Sequence, residues 1–184
     1  MYVLTIDQQD SRHSEDRVPE LLAALGCEFE RTVGDELQGV LEAPGQVAQA
    51  ILTAMASGGW HIGLGAGDGE RGDSIRAGRG PAFVLAREAV EASKGQAQSF
   101  AVRAAHGGAS DAEALGQLLY GVIAARTAKQ AMVAALLEHG ATTSEVAESL
   151  GISPSAVSQR KIAGLVGEER AVRPLFARLI GGLD

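Results

Sequence analysis

A short stretch near the C-terminus carries hydrogen-bonding and cationic side chains at helical spacing. Ser155, Ser158, Gln159 and Lys161 would share the exposed face of a helix, with Arg160 nearby. Hydroxyl, amide, ammonium and guanidinium groups are donors and acceptors suited to the base edges and phosphates of DNA. The spacing therefore predicts a helix that could contact a nucleic acid.

The residues before that helix predict a short helix and a tight turn. Thr143 is suited to cap a helix over residues 143–150. Gly151 follows at the point where a residue in the left-handed conformation must end such a helix. The inward-facing positions of this helix are Val146, Ala147 and Leu150.

The second helix is predicted over residues 154–166. Ser153 caps it, and Pro154 stands at its first position, where a missing N–H costs nothing. Val157 faces inward, and Ile162 is expected to supply the remaining apolar contact, because Arg160 and Lys161 stand where an apolar residue is often found.

This pattern resembles the helix-turn-helix of bacterial DNA-binding proteins, especially the tetra-helical type of sigma-factor-like and replication-associated regulators. An α-hairpin used only for dimer packing is the alternative interpretation. The candidate DNA-binding residues are Thr143, Ser153, Ser155, Ser158, Gln159, Arg160 and Lys161.

Residues 1–105 show a different pattern of alternating apolar residues, turn signals and helical periodicity. They predict the order β-α-β-β-α-β followed by α-β, a split βαβ or ferredoxin-like α+β domain with helices on one face of an antiparallel sheet. A domain boundary is expected at 106–110. A helical domain is expected over 110–184, with helices at 110–125, 127–139, 143–150 and 154–166 and a last one near 168–181.

Two aspartates would lie side by side in that topology. Asp7 ends the first predicted strand, and Asp35 lies in the Gly-Asp turn between the second and third strands. Residues 31–38, 60–69 and 78–95 are similar to the hairpin, the next strand and the following helix of class III nucleotidyl cyclases. A Gly-Asp turn also forms for backbone reasons alone, and Asp7 could be a strand-end or helix-capping residue.

The resemblance to cyclases implies a set of ligand-binding roles. Asp7 and Asp35 would hold Mg²⁺ or Mn²⁺ bridging the oxygens of a nucleotide triphosphate. Arg31 would lie where the family reads the purine, and Arg87 would match the arginine that stabilises transition-state charge.

The sequence also departs from the cyclase pattern. Phe83 or Ala82 stands where the family has an Asn, one helical turn before Arg87. The loop after the first strand adds a third carboxylate, Asp10, near the expected phosphates. Losing one preorganised group typically lowers an enzyme's rate by about 10²–10³, so a degenerate domain is expected.

A cyclase-like domain followed by a helix-turn-helix resembles the SatD family of bacterial cytoplasmic proteins. The residues that carry this resemblance are 5–12 (TIDQQDSR), 31–35 (RTVGD) and 143–160.

Composition excludes several classes of protein. The 184-residue chain is 46% hydrophobic, which excludes wholesale disorder, and its single cysteine excludes an internal disulfide scaffold or zinc ribbon. Its net charge of −7 argues against a protein coated by nucleic acid. No secretory signal and no apolar stretch of the roughly 20 residues that span a bilayer is visible, so a cytoplasmic location without a membrane is expected.

We therefore expect a DNA-binding regulator that acts as a homodimer on double-stranded DNA. Its degenerate cyclase-like domain would dimerise or sense a metal or nucleotide ligand. The alternative is a metal-dependent nucleotidyl cyclase or phosphoryl-transfer enzyme whose helical tail only organises the dimer. A third interpretation is an interaction scaffold that binds neither nucleic acid nor nucleotide.

Overall fold

The computed structural model describes residues 1–183 and divides the chain into two compact units. The first, here called the sheet unit, contains residues 1–120 and the segment from Pro174 onward. The second, here called the helical unit, is Gly121–Arg173. This division differs from the boundary expected at 106–110. Among the described residues, no helix is both long enough and apolar enough to cross a membrane.

The sheet unit is built on one five-stranded mixed sheet. Its strands are β1 (Tyr2–Gln8), β2 (Phe29–Arg31), β3 (Glu36–Leu41), β4 (Trp60–Ala66) and β5 (Phe100–Ala104). Their spatial order is β2-β3-β1-β4-β5. Strand β1 is antiparallel to both β3 and β4, and β2 is antiparallel to β3, whereas β5 is parallel to β4. The sheet is therefore not wholly antiparallel as expected, because a helical crossover returns the chain to β5 in the same direction.

Helices alternate with these strands in the predicted order. They are α1 (Val18–Leu25), α2 (Pro44–Ser57), α3 (Pro81–Ser93) and α4 (Ala109–Ala124). The predicted order β-α-β-β-α-β-α-β is confirmed over residues 1–105. Before α1, the Ser14 hydroxyl accepts from the Gln8 side-chain amide and donates to the Asp10 carbonyl.

Helices cover both faces of the sheet rather than one. Successive side chains of a strand point to opposite faces, so Trp60 and Gly63 of β4 lie on different faces. The Trp60 indole N–H donates to the Ser57 hydroxyl at the end of α2. A Cβ at Gly63 would lie 2.2 Å from the Val90 amide nitrogen of α3. Helices α2 and α3 therefore pack on opposite faces.

Helix α4 packs against the edge of the sheet through its first residues. The Val102 amide of the edge strand β5 donates to Glu113 at 2.8 Å, and Gln117 donates to the Phe100 carbonyl at 3.2 Å. Unpaired edge groups need such partners. Phe176 also meets Phe100 edge-on, with ring centroids 6.2 Å apart. Residues expected to belong to a separate helical domain thus complete the sheet unit.

The helical unit contains α5 (Ala128–Glu138), α6 (Thr143–Leu150), α7 (Pro154–Ala163) and the first residues of α8 (Val166–Gly181). The first three pack around a small apolar core. Its buried members are Val133, Val146, Ala147 and Val157, with Leu136, Leu137, Ala141, Leu150 and Ile152 around them. Helix α7 ends three residues earlier than predicted, because Leu165 takes the left-handed conformation with φ of 50°.

Candidate functional site

Side-chain caps fix the ends of α6 and α7. Thr142, not Thr143, caps α6, and its hydroxyl accepts from the Glu145 amide while Glu145 accepts from the Thr142 amide. The hydrogen bond from the Thr142 amide holds the pKa of Glu145 below its ordinary value. Gly151 ends α6 in the left-handed conformation with φ of 60°, and the Ser153 hydroxyl caps α7, both as predicted.

The outward face of α7 carries most of the candidate DNA-binding residues. Ser155, Ser158, Gln159 and Lys161 are exposed, and Arg160 is half-buried on the same helix. The Ser158 hydroxyl donates to the Pro154 carbonyl within the helix, which leaves its oxygen lone pairs to accept. We call these five side chains together the α7 face; Arg160 and Lys161, three and four residues after Val157, lie at its two edges.

Two candidates lie at helix starts. Thr143 is half-buried at the first position of α6, and the Ser153 hydroxyl is occupied as the α7 cap. The expectation that Ile162 packs inward is wrong, since its side chain is 69% exposed. Helix α7 therefore buries a single residue, Val157.

The charge of the protein is distributed unevenly between the two units. Six of the sixteen Lys and Arg residues and five of the twenty-three Asp and Glu residues belong to the helical unit, so its net charge is +1 and that of the rest of the chain is −8. Within residues 121–173, three of these cations make ion pairs with Glu138 or Glu169, while Lys129, Arg160 and Lys161 make none. The cations free to meet phosphate therefore include the two on the α7 face.

An ion-pair network joins α5 to α8 in the helical unit. Glu138 accepts from Arg173 at 2.7 Å and from Arg170 at 3.2 Å. The Arg173 hydrogen bond holds the pKa of Glu138 below its ordinary value of 4.5, and the second guanidinium acts in the same direction. Arg173 also donates to Glu169, at 2.6 Å and 3.2 Å.

We expect this network to make the helical unit less stable in acid. A carboxyl group with a lowered native pKa stabilises the fold above its unfolded value, and that stability is lost as pH falls through the lowered value. Thermal unfolding followed by circular dichroism should give the wild type a higher melting temperature than Glu138→Gln at pH 7. The gap should close as pH falls below 4.5. A gap that stays constant down to pH 2 would contradict the assignment.

Asp7 lies in a different setting from the one that the cyclase resemblance implies. In the sheet register it stands opposite Glu36 of β3 and His61 of β4. The Lys94 ammonium lies 2.8 Å from the Asp7 carboxylate and 2.7 Å from Glu91. Burial lowers the pKa of His61, and its Nδ1 atom is buried without a hydrogen-bond partner among the described residues.

Asp35 lies in a cleft between two loops of the sheet unit. The cleft has a volume of about 270 Å³, and Arg12, Asp16, Arg31 and Asp35 are among the residues that line it, whereas Asp7 is not. The Arg31 guanidinium binds Asp16 at 2.7 Å and the Gly34 carbonyl at 2.6 Å. The Arg31 hydrogen bond lowers the pKa of Asp16.

Of the predicted nucleotide-binding and metal residues, Arg31 and Asp35 share this cleft, whereas Asp7 and Arg87 do not line it. Asp35 still lies beside the end of β1, because its carbonyl accepts from the Gln8 amide at 3.3 Å. Arg31 holds the hairpin turn, and Arg87 is exposed on α3, away from the cleft-lining set. A metal ion at Asp7 would have to share or displace the Lys94 ammonium. Within residues 1–183, no group of three or more His, Cys, Asp or Glu side chains is placed to hold a metal ion. The donors around Asp7 do not match the implied two-carboxylate site, and metal binding there stays a prediction.

Three charged side chains in these ion pairs are not indicated by the sequence pattern. Lys94 pairs with Asp7, and Arg126 and Glu169 form a buried pair in the helical unit. Their partners are distant in sequence, so no local spacing could have indicated them.

Comparison of the chain with models of protein families, with curated proteins and with solved structures finds no match.

Proposed function

We propose that the protein is a DNA-binding regulator of the SatD type, in which α6 and α7 form a helix-turn-helix. The observation that carries this proposal is the α7 face. One short, capped helix presents hydroxyl, amide and cationic groups outward and buries only Val157. A helix built in this way has its polar side free for base edges and phosphates.

The proposed mode of binding places α7 in the major groove of duplex DNA. In helix-turn-helix proteins the second helix enters this groove, and dimers read half-sites about 34 Å apart. We propose a cytoplasmic homodimer on this ground. The positive charge of the helical unit favours contact with phosphates.

We propose that the sheet unit is a ferredoxin-like, degenerate cyclase-like domain that dimerises or senses a ligand. The order β2-β3-β1-β4 with antiparallel neighbours supports the split βαβ assignment. The cleft at Asp35 supports a sensing role, because among the described residues neither Arg12 nor the Asp35 carboxylate has a side-chain partner. A ligand would act by shifting the population of dimer geometries.

Fluorescence anisotropy of labelled duplexes tests the DNA proposal. We expect the protein to prefer a duplex from the region upstream of its own gene over a scrambled duplex. Lys161→Ala should weaken binding to both duplexes and reduce the salt slope by about 1, as loss of a phosphate contact does. Gln159→Ala should instead lower the preference between the duplexes, by about 1–3 kcal/mol if it reads a base edge.

Arg87→Gln is the matched control, because it removes an exposed cation from α3 of the sheet unit. It should leave both affinities and the salt slope unchanged. Equal losses in Arg87→Gln and Lys161→Ala would show that binding depends on overall charge and not on the α7 face. Absence of binding at low salt would reject the DNA proposal and favour an assembly role for the two helices.

A further inference from the structure

Two charged side chains are buried in the helical unit. Arg126, between α4 and α5, is 6% exposed, and Glu169, in the first turn of α8, is 2% exposed. The Arg126 Nη2 atom lies 3.5 Å from the Glu169 carboxylate but makes no hydrogen bond. Glu169 has a second partner, because Arg173 donates to both of its oxygens.

Such a pair needs a reason other than stability. Removing two charges from water costs several kcal/mol for each ion, and apolar residues of similar size often stabilise a fold as well or better. One buried nitrogen of Arg126 has no hydrogen-bond partner among the described residues, which makes a purely stabilising role still less favourable. The third group that Arg126 contacts indicates what the pair does.

That third group is the end of α7. The Arg126 Nε atom donates to the Gly164 carbonyl at 2.8 Å. Gly164 follows the last residue of α7, and Leu165 then takes the left-handed conformation. A non-glycine residue in this conformation carries a backbone penalty that surrounding contacts must offset. Arg126 therefore fixes the junction at which α7 stops and α8 begins.

Few apolar side chains of α7 itself contribute to this anchor, although Val166, just after the junction, is buried. Helix α7 buries only Val157, which lies in its first half, and Ile162 in its second half is exposed. With a single buried side chain the helix could rotate or fray at its far end. The hydrogen bond from Arg126 is the described side-chain hydrogen bond that reaches that end, and it acts together with the buried Val166.

We propose that Arg126 and Glu169 are positioning residues that fix the C-terminal half of α7 and so the direction in which the α7 face points. Glu169 holds the Arg126 guanidinium, and Arg126 holds the Gly164 carbonyl. This inference rests on the proposed DNA-binding function for its consequence, since a fixed recognition helix improves selectivity between sequences more than total affinity.

The first test does not use DNA. Amide hydrogen exchange followed by NMR should show that Arg126→Met raises the exchange of the Gly164 and Leu165 amides about 10-fold, as expected for a local opening made easier. The Val146 amide in α6 should be unchanged. Arg170→Met is the matched control, because Arg170 is a cation of the same network that pairs with Glu138 and not with α7.

Arg126→Met is suited to this test because Glu169 keeps its two hydrogen bonds from Arg173 and is not left unpaired. Arg126→Lys is the second variant. It keeps a charge near Glu169, but an ammonium cannot both donate to the Gly164 carbonyl and lie beside Glu169 as the planar guanidinium does. It should show the same raised exchange. Unchanged exchange in either folded variant, or the same change in Arg170→Met, would overturn the proposal.

The second test measures selectivity. Anisotropy with the preferred and scrambled duplexes should show a ratio of affinities reduced about 10-fold in Arg126→Lys, with binding to the scrambled duplex nearly unchanged. Arg170→Met should retain the wild-type ratio. If the wild-type protein binds no DNA, the proposed function fails while the exchange result still decides the positioning role. Raised amide exchange at Gly164 and Leu165 with an unchanged ratio of affinities for the two duplexes would overturn the link to selectivity.

Discussion

Replacing Gly65 by Ala should destabilise the sheet unit by about 3 kcal/mol, the upper range for overpacking a close-packed interior. A Cβ at Gly65 would lie 2.3 Å from both the Ala82 carbonyl oxygen and the Ala86 amide nitrogen of α3. Both contacts are with backbone atoms, so no side-chain rotation can relieve them. Helix α3 would have to move away from β4 and open the interface that Gly63 shares.

Urea unfolding followed by Trp60 fluorescence measures this effect. The chain has one tryptophan, and Trp60 is fully buried in the sheet unit. Gly45→Ala is the control, because nothing lies within 4 Å of a Cβ there and the residue sits in the first turn of α2. It should be neutral or slightly stabilising. A Gly65→Ala midpoint equal to that of Gly45→Ala would show that α3 is not held as closely as described.

This close approach gives the glycines of β4 a structural role. They belong to residues 60–69, a stretch that is similar to a cyclase strand. In the structure, Gly63 and Gly65 leave room for the backbone of α3. The same residues therefore fit the resemblance and a packing requirement, and the packing alone accounts for their lack of side chains.

The sequence predicts the secondary-structure elements well where the hydrophobic periodicity is clear. The order of strands and helices expected over residues 1–105 is the observed order. The turn at Gly151 and the cap at Ser153 were also predicted, because both depend on backbone conformation within a few residues. Such features are fixed by nearest neighbours and can be read from one sequence.

Contacts between distant segments could not be read in this way. Helical periodicity shows that α3 has an apolar side but not which face of the sheet it covers. Nothing near Glu113 indicates that its carboxylate will accept from the Val102 amide. The Asp7 carboxylate looked available from the sequence, and its ion pair with Lys94 appears only when the end of α3 is placed beside β1.

The candidate DNA interface likewise combines local features, which the sequence predicts, with a distant contact, which it does not. The outward positions of Ser155, Ser158 and Gln159 follow from local periodicity around Val157, and their exposure is confirmed, whereas Lys161 is exposed although it lies four residues after Val157. The hydrophobic pattern places Ile162 in the core, but the structure leaves it exposed. A polar contact, from Arg126 to the Gly164 carbonyl, helps to hold the end of α7, and a hydrophobic pattern cannot indicate such a contact.

The single buried residue of α7 should be essential for the fold of the helical unit. Val157 is fully buried among Val133, Val146 and Ala147. An aspartate there would place a carboxylate in an apolar core with no described cation beside it, which costs more than about 4 kcal/mol and should unfold α6 and α7. Circular dichroism at 222 nm should fall in Val157→Asp, while Trp60 emission stays native because Trp60 belongs to the sheet unit.

Ser158→Asp separates loss of the fold from loss of the interface. It introduces the same charge at the next residue, on the exposed face of α7. Its helix content should remain that of the wild type, while DNA binding weakens because the new carboxylate repels phosphate. Val157→Asp should lose both signals together. If Val157→Asp kept its helix content, the core of the helical unit would not depend on α7. If Ser158→Asp kept full affinity, the α7 face would not be the surface that meets DNA.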